Sequence, residues 1–161
     1  MIQRFSGLAV ARRDLTGLDF IHHLGRLGVE VEQGARTILA SKPGNRLNNR
    51  LRLAGMQCAS SDPLNMDLRE IAERAGTELS GKVIPPHLVP IACYEMVREL
   101  WPREYPSLVV FHEPEWIGGY LSVLRFRREV GGRIILDHTD ARGMWYTPQT
   151  LFAFALPIER R

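Results

Sequence analysis

Asp137, His138 and Asp140 fall in the stretch Asp137-His138-Thr139-Asp140, and a second cluster, His112-Glu113-Pro114-Glu115, lies upstream. Imidazole beside carboxylates is what general acid-base chemistry or a divalent-metal site uses. Either chemistry needs the groups to converge on one point. Neighbouring residues of a strand point to opposite faces, so Asp137 and His138 diverge if their stretch is extended. Pro114 is incompatible with a helical His-Glu-x-x-His zinc arrangement at His112. His22 and His23 are adjacent in a helical stretch and diverge by about 100°. Cys58 and Cys93 are far apart and match no zinc or redox spacing. A phosphate-cradling glycine loop, a Gly-x-Ser-x-Gly elbow and a Cys-x-x-Cys pair are all missing from the sequence. The expectation is a chain without a catalytic set, without a cofactor and without a metal. A small hydrolase or nuclease built on His112, Glu113 and residues 137–140 is the enzymatic alternative.

The element that must position the second cluster is a hairpin. In Phe126–Asp140, FRREVGGRIILDHTD, even positions Phe126, Val130, Ile134 and Leu136 are apolar while odd positions Arg127, Glu129 and Asp137 are charged. A loop of three residues, Gly131-Gly132-Arg133, keeps the apolar positions on one face. It pairs Val130 with Ile134 and Arg127 with Asp137. Asp137 is then an ion-pair partner, and His138 turns toward the core near Phe126.

Elsewhere the patterning is readable in pieces. Ile2–Val10 reads as a strand. A helix begins at Asp14 as N-cap and runs to about Leu27, with Gly28 at the left-handed position past its end. Val29–Glu32 is a short strand and Arg36–Ala40 another, followed by the turn Lys42-Pro43-Gly44-Asn45. Arg50–Cys58 alternates as a strand, although Leu47 and Leu51 are also four apart, as in a helix. Asn65 or Asp67 caps a helix ending at Gly76, and a further helix spans Pro90–Trp101, stopped by Pro102. Leu108–Phe111, Tyr120–Val130, Ile134–His138 and Leu151–Ile158 read as strands, and His112–Glu115 as a surface loop. Leu68–Gly76, LREIAERAG, resembles the first helix and turn of bacterial helix-turn-helix proteins. Gly81 and Pro85-Pro86 leave no room for the recognition helix which that family requires, so an amphipathic helix is expected instead. The fold class is α+β: a single domain over residues 1–161, with an antiparallel sheet and about three helices packed on one face.

Composition bounds the class. The chain has 161 residues, 45% hydrophobic and 24% charged, with a formal charge of +3, which is the profile of one globular domain. Its start does not read as a secretory leader and no run reaches bilayer length, so a cytoplasmic location with reduced cysteines and no membrane partner is expected. The positive charge is unevenly placed. Residues 33–60 hold Arg36, Lys42, Arg46, Arg50 and Arg52 and no acid, whereas Asp62, Asp67, Glu70, Glu73 and Glu78 follow. Met144, Trp145 and Tyr146 sit in a polar loop, the composition interfaces favour. Together these residues point to a non-enzymatic binding protein working by protein contact. An accessory factor or inhibitor, such as a bacterial, phage or plasmid immunity or anti-defence protein, is the class expected. Nucleic-acid binding through residues 36–52 is the alternative partner reading. Nothing in the residue pattern sets an oligomeric state.

Overall fold

Strand-forming runs dominate the chain, and all of them enter one sheet. The computed structural model describes residues 1–10, 15–43, 50–63, 65–143 and 149–158. The elements in chain order are β1 (Ile2–Val10), α1 (Gly17–Arg26), β2 (Val29–Val31), α2 (Gln33–Ala40), β3 (Arg50–Gln57) and α3 (Leu68–Leu79). They continue with α4 (Val89–Glu95), β4 (Ser107–Val110), β5 (Glu115–Ile117), β6 (Tyr120–Arg128), β7 (Ile134–Asp140) and β8 (Thr150–Leu156). The strand order is β1-β3-β8-β4-β6-β7-β2, with β5 paired to β6. The α+β class is as expected, but the sheet is mixed rather than antiparallel. The last strand, β8, inserts beside β4 in parallel, and β2 adds in parallel to β7. The central position of β8 explains why it is buried on both faces and reads as a nearly unbroken apolar run.

Helices cover both faces, which corrects the one-face expectation. On one side α1, α2 and α4 bury Phe20, Leu24, Ile38, Leu39 and Ala92 against Leu53, Leu124, Phe126 and Leu136. On the other side α3 packs Ile71 and Ala75 onto Met56, Val109, Phe152 and Phe154.

Local chemistry sets the helix boundaries. Thr16, not Asp14, caps α1. Its hydroxyl accepts the Asp19 N–H at 3.3 Å, and the Asp19 carboxylate accepts the Thr16 N–H at 2.7 Å. Asp14 lies outside the described residues. Gly28 has φ +83°, the left-handed conformation its position after α1 requires. Gly17 touches α2 so closely that a Cβ there would overlap the Leu39 carbonyl. Arg36–Ala40 is helical rather than extended. Ala35, Ile38 and Leu39 form its buried face, at the three- and four-residue spacing of one helix side. Asp67 caps α3 by accepting the Glu70 N–H at 2.9 Å, and the helix passes through Gly76 to close on left-handed Ser80. There is thus no helix-turn-helix corner at Gly76. The helix that starts at α4 extends through a π-helical turn, Met96–Leu100, to an extended Trp101 before Pro102.

The hairpin keeps the expected parity but slides by two residues. Arg128 pairs with Ile134, Phe126 with Leu136 and Arg125 with Asp137. Gly131 and Gly132 take φ of +93° and +86° in the longer loop, and Val130 is fully exposed there.

Candidate interaction surface

Of the residues that invited a catalytic reading, His112, Glu115, Asp137, His138 and Asp140 are held by specific partners. His112 lies in the break between β4 and β5, which both pair with β6. Its Nε2 accepts the buried Leu124 N–H at 2.9 Å, so Nδ1 carries the proton and donates to the Glu113 carbonyl at 2.8 Å. The imidazole thus replaces a missing main-chain acceptor where the strand is interrupted. Burial disfavours its charged form and lowers its pKa to about 4. His138 sits opposite Leu124 on β7. It shares a hydrogen bond at 3.1 Å with the hydroxyl of Ser122, which is wholly buried, and stacks on Tyr120.

Glu115 belongs to β5, a strand where a loop was expected. Its Oε2 forms an ion pair with Lys42 Nζ at 3.0 Å, and its Oε1 accepts the Ser41 hydroxyl at 3.0 Å. Lys42 is therefore buried under β5. Asp137, also buried, is gripped by two arginines. Arg125 donates through Nε and Nη2 at 3.0 and 2.8 Å, and Arg127 Nε donates at 2.9 Å. Asp140 accepts the Arg142 N–H at 2.8 Å. Among the described residues no group of three or more histidine, cysteine or acidic side chains is placed to hold a metal ion. Burial pushes the thiols of Cys58 and Cys93 up to about 11 and about 12.

The described residues of the basic segment do not form one patch. Arg36 is on α2 and donates to the Val31 carbonyl of β2 at 3.1 Å, beside one edge of the sheet. Arg50 and Arg52 lie two residues apart on β3, next to the other edge. Arg46, Met144, Trp145 and Tyr146 lie outside the described residues. Trp116 is 65% exposed on β5, with the Arg142 guanidinium 5.6 Å from its ring.

The register of β1 on β3 brings the two outer arginines to apolar neighbours. Leu8 faces Arg52 and Val10 faces Arg50, so all four side chains share one face of the sheet. Leu8 is 57% and Val10 55% exposed. Beside them opens a cleft of about 470 Å³ between β1, α1 and α4, with Phe20, Ile91 and Tyr94 as walls and His23, Glu95 and Arg98 among its polar lining. A shallower hollow of about 250 Å³ lies against Ser6, Leu8, Arg52 and Ile158. The sequence reading assigned Ile2–Val10 to a strand and overlooked this surface. The available signal was its even positions, where Leu8 and Val10 continue an otherwise polar side of Arg4 and Ser6.

Comparison with known proteins finds no matching family model, no matching curated protein and no matching solved structure. No helix among the described residues is long and apolar enough to cross a membrane.

Proposed function

We propose that this chain is a small non-enzymatic binding protein, an accessory factor or inhibitor that works by protein contact through β1 and the flanking arginines of β3. The observation that carries this reading is the exposure of Leu8 and Val10 on an outer strand, directly across from Arg50 and Arg52. Contiguous apolar side chains on an outer strand invite association, and natural proteins usually blunt such edges. Arginine next to apolar side chains is also the composition that binding hot spots favour. The occupied states of His112, His138, Glu115 and Asp137 support assigning them to the framework.

The test is affinity capture of the tagged chain from its host, with and without nuclease, beside a Leu8→Ser, Arg50→Ala, Arg52→Ala variant. A discrete protein retained after nuclease by the wild type and lost by the variant, at unchanged melting temperature, is expected. Capture that vanishes with nuclease would transfer the surface to nucleic acid. Capture undiminished in the variant would remove it from the β1 edge.

A further inference from the structure

The two borders of the sheet differ. At one, β2 is only three residues long, and its Glu30 is tied to Arg133. At the other, β1 is nine residues long and pairs with β3 alone among the described strands. Among the described residues, no strand pairs with its second row of main-chain N–H and C=O groups. A register shift between Gln3 and Phe5 interrupts regular pairing, which leaves Phe5–Val10 as the usable track.

The two sides of that track have different chemistry. On one side lies the cleft walled by Phe20, Ile91 and Tyr94, large enough for one or two apolar side chains. On the other side are Leu8 and Val10, with Arg50 and Arg52 behind them on β3; among the described residues neither of these arginines has an ion-pair partner, and Arg4 donates to the neutral side chain of Gln57 at 2.6 Å. A strand laid against β1 sends alternate side chains to opposite faces. One face of the incoming strand thus meets the cleft, where Phe20, Ile91 and Tyr94 stand beside the Glu95–Arg98 ion pair, and the other meets Leu8 and Val10 with the guanidinium groups of Arg50 and Arg52 one strand behind them.

We infer that β1 accepts an extended segment of a partner protein by strand addition, the segment alternating apolar residues toward the cleft with carboxylates toward Arg50 and Arg52. Main-chain hydrogen bonds to Phe5–Val10 supply affinity and the two side-chain rows supply selectivity. A second copy of this chain is the poorer occupant. It would bring another Arg4, Arg50 and Arg52 to a border that already has this excess of positive charge. This inference rests on the contact surface proposed above and specifies its occupant.

The experiment begins by panning a display library of random twelve-residue peptides on the full chain. Enriched peptides are expected to alternate apolar and acidic residues. With the best of them, amide hydrogen exchange should show new protection in β1. Affinity should fall about tenfold or more for Arg50→Glu with Arg52→Glu, the scale of losing charge-assisted contacts. Methylating alternate main-chain nitrogens of the peptide, which leaves the protein intact, should abolish binding. Enrichment of basic peptides, no enrichment, or equal binding of the methylated peptide would overturn the inference. So would β1 protection arising without peptide in a dimer detected by sedimentation, which would name the second copy as occupant. If the wild-type chain still captures a nuclease-resistant partner while the peptides fail, only strand addition falls. Loss of that capture as well removes the contact surface itself.

Discussion

Acidification should destabilise this protein through one imidazole, His112. Its Nε2 is the acceptor for the Leu124 N–H, and protonation removes that acceptor while placing a charge in the core. The folded pKa of about 4 lies below the ordinary histidine value of 6.5. The unfolded chain therefore binds the proton more tightly. The stability this difference represents is fully present above pH 6.5 and is lost as pH falls toward 4. A gap of that size corresponds to about 3 kcal/mol in full, with about 2 kcal/mol of it lost between pH 7.5 and 5. Urea unfolding across that interval gives the slope, and the same series on His112→Ala gives the background from all other groups. The variant should start about 2 kcal/mol or more less stable at pH 7.5, because the Leu124 N–H is left without its acceptor. It should also lose the histidine part of the slope. Parallel slopes for the two proteins would refute the reasoning, as would an imidazole NMR titration of His112 with a midpoint near 6.5. Nitrogen chemical shifts should show the proton on Nδ1 at neutral pH.

Other consequences follow from single contacts. Gly17→Ala places a methyl group against the Leu39 carbonyl, so α1 and α2 must separate, with an expected loss of about 2 kcal/mol or more in chemical unfolding. Thr16→Ala removes one half of the α1 capping box and should cost about 1 kcal/mol; an unchanged urea midpoint would refute the cap. Asp137→Asn weakens bonds from both Arg125 and Arg127 and should cost about 2 kcal/mol; adding Arg127→Ala to it should cost less than that change costs alone. Cys58 and Cys93, with thiols pushed up to about 11 and about 12, should resist disulfide reagents at pH 8 in the native protein and react promptly once it is unfolded.

Where the sequence was legible, the reason was side-chain alternation, and where it misled, the missing information was also physical. The parity of β6 and β7 fixes which residues share a face, but every register differing by two residues has the same parity. Loops of three and five residues are therefore equivalent by that criterion. The longer loop sets Arg125 directly opposite Asp137 and Arg127 on the diagonal, with both donating to it; the shorter loop would only exchange the two arginines, so this ion pair does not choose between them. α2 was hidden for a different reason. Its N-cap, Glu32, makes no side-chain capping bond, so no start signal precedes the short apolar run Ile38-Leu39-Ala40, which alone resembles a strand. The mixed sheet was beyond reach because the strand order depends on β8, the last strand formed in the sequence, inserting between β3 and β4.

The candidate surface shows the same limit at longer range. Arg50 and Arg52 were correctly read as neighbours on one strand face, because period two is local. Grouping them with Arg36 and Lys42 assumed that nearness in sequence is nearness in space. The chain instead sends α2 toward β7 and β3 toward β1, and the ion pair with Glu115 holds Lys42 under β5. That pairing leaves Arg50 and Arg52 as the members of the described basic group that stand beside exposed apolar side chains. A nucleic-acid backbone selects for a continuous basic stripe, whereas the proposed β1 site sets two guanidinium groups behind Leu8 and Val10 on one face and a cleft on the other. Salt separates the two: binding to the β1 edge should weaken only modestly between 50 and 200 mM salt, since few charges are neutralised, whereas a loss of about a thousandfold or more would mark a phosphate backbone.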